Sequence, residues 1–246
     1  LSKLTEKVLG HEPLSREEAV QIAHLPDTLL PELLYSAFVV TRAFGKTEIF
    51  TINADSVAMK GFLVRNVGTS YTVDRAGIRV NQQEHCIIAD NKLINTFFGI
   101  YMEKSDSCIV RNNRIIGEAE GEVSSGNAIH LWYCEYNVIE NNLTKNHRDG
   151  IYFEFVEHST ILNNVSEDNL RYGLHFMFSH YDEYINNTFR NNGAGVAVMF
   201  SRHIHMKRNL FVRNWGDAAY GLYLKEITDG VIKQNRFVNN TYGIYF

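Results

Sequence analysis

Cysteine is scarce in this chain. Cys86, Cys108 and Cys134 are too few and too evenly scattered for a disulfide framework, and no CxxC pair suggests a zinc or redox site. Long apolar runs are missing as well: no stretch of about 18 apolar residues occurs, so the chain as given spans no membrane. The first residues lack a signal peptide's basic, apolar and small-residue regions, although an exported protein relieved of its leader would read the same way. Nor is there an excess of one charge. The 24 Lys and Arg stand against 28 Asp and Glu, a net charge of -4 with both signs interspersed, without the concentrated basic patch that nucleic acid or a membrane surface demands. No Gly-rich phosphate loop, Ser/His/Asp arrangement or HExxH motif occurs. Any ATP is used by a partner.

What the chain has is a period. Of its 246 residues, 45% are hydrophobic, enough for a substantial core. A glycine followed by an aliphatic residue recurs at Gly77, Gly99, Gly150, Gly173, Gly195, Gly221 and Gly243, with Ala128 filling the gap, at spacings of 22, 29, 22, 23, 22, 26 and 22. A second column, set in an apolar-x-x-Asn-x-apolar frame, reads Asn91, Asn113, Asn141, Asn163, Asn187, Asn209 and Asn235. Units of about 22 residues are too short to bury their own apolar faces, so they must stack and pair strands in parallel. The fold class is therefore all-β: a right-handed parallel β-helix of about nine turns over 47–246. Glycine suits bends that need unusual φ/ψ, and asparagine tolerates left-handed backbone and can form amide ladders between turns. Cys86 and Cys108, at equivalent repeat positions, read as small apolar side chains stacked in neighbouring turns. The two longer repeats place extra residues in loops, Gly117 to Gly126 and a segment including Asn214 to Asp217.

Residues 1–46 differ. They hold all three prolines, Pro13, Pro26 and Pro31, and read as an α-helical segment. Ser15 is a good N-cap with Glu17 and Glu18 in the first turn, and a second helix is expected from about Thr28 to Ala43. A cap on the open end of the solenoid is one role for such a segment.

The strings Tyr172-Gly-Leu-His-Phe-Met-Phe-Ser-His180, Gly193-Ala-Gly-Val-Ala-Val-Met-Phe-Ser201 and Asn214-Trp-Gly-Asp-Ala-Ala-Tyr-Gly-Leu-Tyr-Leu-Lys-Glu-Ile227 resemble the NosD family, and similarity extends over about 48–246. The resemblance implies a periplasmic, non-enzymatic β-helix that works with a membrane ABC transporter and a copper chaperone to supply copper to nitrous oxide reductase. The first 45 residues look instead like the N-terminal helical segment of biotin synthase, on Leu14-Ser-Arg-Glu-Glu-Ala19, Leu33-Leu-Tyr-Ser-Ala37 and Arg42-Ala-Phe-Gly45. No CxxxCxxC cluster motif accompanies them, which excludes radical SAM chemistry for this chain as given. A change of origin near Gly45 to Glu48 follows, and the chain stops within a turn, as though a fuller protein continues.

Alternation along a strand points the aliphatic residue of each Gly-containing segment inward and its neighbours outward. One outward column reads Arg79, Tyr101, His130, Tyr152, His175, Ala197, Tyr223, Tyr245; the next reads Asn81, Glu103, Trp132, Glu154, Met177, Met199, Lys225. Soft thioethers with imidazole suit Cu(I), which singles out His175, Met177 and Met199 on adjacent turns. His203 and His205, two apart on a strand, are a further candidate metal pair, with Met206 pointing inward. The same aromatic stripe also fits polysaccharide: Tyr101, Trp132, Tyr152 and Tyr223 as ring platforms, with Glu103, Glu154 or Asp149 as acids. A purely structural docking repeat is the third reading.

Overall fold

The structure is a computed structural model, and it describes residues 2–9, 15, 18, 50–68, 74–216 and 219–246. The chain divides into two compact units, Leu1–Thr47 and Glu48–Phe246. In the first, Ser2–Leu9 is a helix. Ser15 and Glu18 form a capping box: the Glu18 N–H donates to Ser15 Oγ at 3.2 Å, and the Ser15 N–H donates to Glu18 Oε2 at 2.7 Å. The second helix expected from about Thr28 to Ala43 and the capping role lie outside the described residues.

The second unit is a parallel β-helix. Each turn contributes one strand to each of three parallel sheets, as in Asp149–Glu157, Thr160–Leu162 and Val165–Glu167. The first of these sheets, hereafter the long sheet, has nine strands and the others eight apiece, so nine turns holds for one face only. In the long sheet Ile78, Ile100, Ile129, Ile151, Leu174, Val196 and Leu222 lie in register. All seven are fully buried, and each contributes about 1.5–3 kcal/mol of apolar transfer energy. Across the interior Phe189, Phe211 and Phe237 stack at 5.4 and 4.6 Å.

Amide ladders hold the corners between sheets. Asn187 is typical. Its Oδ1 accepts from the backbone N–H of Asn164 at 2.9 Å and from the Asn164 side chain at 3.0 Å; its Nδ2 donates to Ile161 O at 2.9 Å and to Asn209 Oδ1 at 3.0 Å. The column runs Asn91, Asn113, Asn142, Asn164, Asn187, Asn209, Asn235. Two members expected from the sequence are therefore displaced by one residue: Asn141 and Asn163 are exposed, left-handed corner residues at φ 55° and 57°, and the following asparagines enter the ladder. The apolar residue expected two positions after each ladder asparagine is here the buried polar Thr144 or Ser166, which hid the register. A second ladder runs from His147 through Asn169, Asn192 and Asn214 to Asn240.

The recurring glycines serve another purpose than bending. Gly173 has ordinary φ, and a Cβ placed on it would lie 2.7 Å from the carbonyl oxygen of Gly195 in the next turn. Close approach of backbone, not a left-handed turn, demands glycine there. The bends are made by non-glycine residues at positive φ. Cys86 and Cys108 are buried and free, and the Cys86 N–H reaches Cys108 Sγ at 3.3 Å, the stacking expected.

That cysteine column continues through Asn137 and Ser159 to Asp182. Asp182 is fully buried; it accepts from the Ser159 N–H at 2.8 Å and from the Tyr184 hydroxyl at 3.2 Å. Burial raises its carboxyl well above the ordinary range. The folded state therefore keeps a proton that the unfolded chain releases above about pH 3.9, and stability falls as pH rises through that window. Asp182→Asn, which retains the Oδ1 acceptor, is expected to raise the denaturant midpoint at pH 7, with the gain shrinking as pH approaches 4. Asn187→Ala, which strands the buried Asn164 N–H, is expected to cost about 2–4 kcal/mol in the same urea titrations.

Candidate functional site

The outward face of the long sheet carries the chemistry. Its strands pair in the register expected from the sequence: Tyr101, His130, Tyr152, His175 and Ala197 succeed one another in one column, and Glu103, Trp132, Glu154, Met177, Met199 and Lys225 in the next. The segments 117–126 and 213–216 both precede strands of the long sheet, Asn127–Glu135 and Tyr220–Lys225, and so approach it from the same margin. The downstream margin is a ridge of rings at positive φ. Tyr133, Phe155, Phe178 and Phe200 stack at 4.4, 5.3 and 5.1 Å, and three residues on, Tyr136, His158, Tyr181 and His203 stack at 5.1, 4.9 and 4.7 Å. Bulky residues are strained in left-handed backbone, and the stacking offsets that cost.

Met177 and Met199 are register partners in neighbouring strands and both are half-buried. Parallel strands lie ~4.8 Å apart, close enough for two thioethers to converge on one ion. Beneath them hydroxyls fix the strand ends: Ser179 Oγ donates to Met177 O at 2.9 Å and Ser201 Oγ to Met199 O at 3.0 Å, while the Ser179 N–H donates to Ser201 Oγ.

His175 lies two residues before Met177, in the other column, and is 5% exposed. Tyr152 meets it edge-on at 5.2 Å, and Arg171 Nη2 lies 3.5 Å from its Nδ1. A guanidinium can only donate, so Nδ1 accepts and the ring proton sits on Nε2, which has no partner. Burial, then the nearby guanidinium groups against the opposing pull of Asp149, brings its pKa down to about 4. His203 and His205 are not brought together as a pair. His203 occupies the corner ladder, stacked on Tyr181 and 3.7 Å from Asp229; His205 opens the next strand, 3.5 Å from Glu183. Met206 points inward and is fully buried, as expected. Among the described residues no three His, Cys, Asp or Glu side chains converge on a point, so a donor set for hard or borderline divalent ions is lacking there.

The acids weighed for sugar chemistry are engaged. Glu103 pairs with Arg79 at 2.9 Å, Glu154 accepts from the Tyr152 hydroxyl at 3.4 Å, and the fully buried Asp149 takes two hydrogen bonds from Arg171, at 2.9 and 2.6 Å. The rings of Tyr101, His130 and Tyr152 stack on one another at 4.6 and 4.8 Å, so their faces are occupied. Composition and repeat gave no notice of the cluster around Asp149. The one signal available was Arg148 and Arg171, two residues before successive repeat glycines.

Comparison with known proteins agrees with this architecture. Residues 48–180 match the right-handed β-helix region, so the chain is a right-handed parallel β-helix protein. Residues 119–246, just over half of the chain, match the family described as periplasmic copper-binding protein (NosD), and the chain belongs to the NosD family. Neither match reaches residues 1–47, where the likeness to biotin synthase finds no support. No curated protein matches the chain. Among solved structures, PfbA, a surface adhesin of Streptococcus pneumoniae, aligns with TM-score 0.56 and 10% identity over 78% of this chain and 70% of its own. Tailspike protein 2 of an Escherichia coli O157:H7 bacteriophage gives 0.53 and 11% over 78% and 31%, and the periplasmic alginate epimerase AlgG 0.51 and 14% over 70% and 48%. This chain thus spans about a third of the tailspike and half of the epimerase. At these identities the likeness is one of fold. No helix among the described residues is long and apolar enough to cross a membrane.

Three imidazoles on or beside this face are held neutral. Burial lowers His130 to about 3, with Arg148 adding to it, and lowers His147 to about 4. His147 is satisfied, Nδ1 donating to Lys145 O at 2.9 Å and Nε2 lying 3.5 Å from Thr96 Oγ1, whereas His175 is not. Ring ¹⁵N spectra are expected to show His130, His147 and His175 unchanged in charge between pH 8 and pH 5; a midpoint near the ordinary value of about 6.5 would contradict that.

Proposed function

We propose that this protein is a periplasmic, non-enzymatic accessory factor that handles Cu(I) during maturation of nitrous oxide reductase, alongside a membrane ABC transporter and a copper chaperone. The observation that carries the reading is the pairing of Met177 with Met199: two soft thioethers in register on adjacent strands, within a chain of a family described as copper-binding. Thioethers favour Cu(I) over Zn²⁺ or Cu²⁺. Two protein ligands leave an open coordination sphere, which suits a cargo that must be received from one protein and passed to another. His175 lies in the adjoining column, with Tyr152 edge-on against its ring and Arg171 3.5 Å from its Nδ1, so the reading rests on the thioethers. His203 and His205, which face Asp229 and Glu183, stand apart from the site.

The aromatic ridge of Phe155, Phe178 and Phe200 follows the thioether pair on the downstream side, and both methionines are half-buried, so the pair is reachable by a partner's own ligands. The loop around Trp215, which is 63% exposed, is a contact surface under this reading. Anaerobic Cu(I) competition titration tests it. Met177→Ala with Met199→Ala is expected to weaken binding by at least about tenfold, and His175→Ala to leave it within about twofold, since on this reading the thioethers and not the imidazole hold the ion. Unchanged affinity in the double variant would overturn the assignment.

A further inference from the structure

The two corners that flank the sheet of Val165–Glu167 and its equivalents are left-handed, and asparagine or aspartate fills them in most turns. Asn141, Asn163 and Asn186 precede Arg208 at one corner; Asn146, Asp168 and Asn191 precede Arg213 at the other. Short polar side chains suit this backbone because they can hydrogen-bond locally, an advantage that arginine lacks. One turn departs from the rule at both ends of its strand, Leu210–Val212, with Arg208 at φ 56° and Arg213 at φ 52°.

These arginines stand among like charges. Counted along the whole chain the two signs are interspersed, but the segments 202–213 and 231–240 carry six Lys and Arg and no Asp or Glu. Lys207 lies in register with Lys233, and Arg236 with Leu210, so successive turns add cations to the same two faces. Like charges opposite one another on neighbouring strands destabilise a sheet. The acids of the adjoining turns are placed elsewhere: Glu167 pairs with Lys145 and Arg190, Glu183 faces His205, and Asp229, which faces His203, shares with Glu226 the corner that follows the long sheet. Arg208 has Asn186 and Gln234 at its corner in the turns on either side, and Arg213 has Asn191 and Asn239, so no neighbouring turn supplies a carboxylate there. Among the described residues the side chains of Lys207, Arg208, Arg213 and Arg236 have no ion-pair or hydrogen-bond partner.

Between the two arginines the strand presents Leu210 and Val212, with Val238 in register beside Val212, and all three are half-buried. A small aliphatic floor thus carries a cationic rim. We infer that this face docks an extended acidic segment of a partner protein. Arg208 and Arg213 are five residues apart, roughly 16 Å at the ~3.3 Å rise of a strand, a length that a segment of about six residues spans. Side chains on one face of such a segment recur every ~6.6 Å, so outer carboxylates reach the guanidinium groups while a central side chain lies on the floor. A bilayer fits less well, because the aliphatic side chains are half-buried in a sheet between two corners and none projects to enter an acyl layer. The face shares no residue with the thioether pair and does not depend on the copper reading.

Fluorescence anisotropy of a labelled deca-glutamate peptide with the full chain tests this, with deca-lysine and vesicles of phosphatidylcholine and phosphatidylglycerol as comparison probes. Saturable binding of deca-glutamate and none of deca-lysine is expected, weakening at least about tenfold between about 50 and 500 mM salt as the charges are screened. Arg208→Asn with Arg213→Asn puts back the residue type that these corners hold in other turns. It is expected to weaken peptide binding at least about tenfold while leaving the urea midpoint no lower, which separates lost docking from lost folding. Lys60→Gln with Arg111→Gln removes the same charge from distant turns and is expected to leave binding within about twofold, because exposed charges beyond a Debye length are screened. No saturable binding of deca-glutamate, or an equal loss in the two double variants, overturns the proposal. Vesicles bound through the two arginines more tightly than the peptide would assign the face to lipid and overturn it equally.

Discussion

The spacing of parallel strands, ~4.8 Å from one turn to the next, is the constraint on which the molecule depends. Everything that repeats must be content to sit on a copy of itself at that distance. An asparagine amide can, since it offers an acceptor to the turn before and a donor to the turn after, and the ladder from Asn91 to Asn235 is that complementarity carried through seven turns. Isoleucine and phenylalanine can, because apolar surfaces have no preferred partner. A side chain on the recurring glycines from Gly77 to Gly221 cannot, because the next turn's carbonyl already occupies the place. A carboxylate can only with a neighbour that donates. Asp182 sits in the cysteine column with Ser159 beneath it and Tyr184 beside it, and its raised pKa is the cost of that position.

The same spacing organises the functional face. Side chains two residues apart on one strand fall in separate columns, and side chains one turn apart touch. Met177 and Met199 meet for the second reason, whereas His175 and Met177 share a strand but not a neighbourhood. The thioether column is half-buried and bordered by exposed rings, while the His175 column is packed among Tyr152, Tyr172 and Arg171. One sheet thus presents a thioether-bearing strip beside a buried, aromatic one.

Much of the fold was legible before any coordinates, because a period of 22 residues states which positions are equivalent, and equivalent positions in a solenoid are stacked. Both outward columns followed from that alone. The register of the asparagine ladder was misjudged at two turns because consecutive asparagines offered two alignments, and the polar Thr144 and Ser166 replaced the apolar landmark that would have decided between them. The reason for the glycines was also invisible, since sequence cannot separate a residue chosen for φ from one chosen for want of a Cβ. The pairing of Arg171 and Arg148 with Asp149 escaped notice because a charge contact at the sheet margin depends on where the side chains turn, which the period does not state. His203 was assigned to a strand when it belongs to a corner; only backbone geometry distinguishes the two.

The corner ladders carry a consequence for how such a chain can change in length. A residue added or lost between His175 and His203 shifts every later ring in the two aromatic columns and turns the following strand inside out. A whole turn, by contrast, can be gained or lost with all columns still aligned, and the margin at 117–126 accepts extra residues because no ladder passes through its exposed middle. Variation in this protein is therefore quantised along the axis and continuous at one edge. The edge that is free to vary is the one from which the chain enters the long sheet.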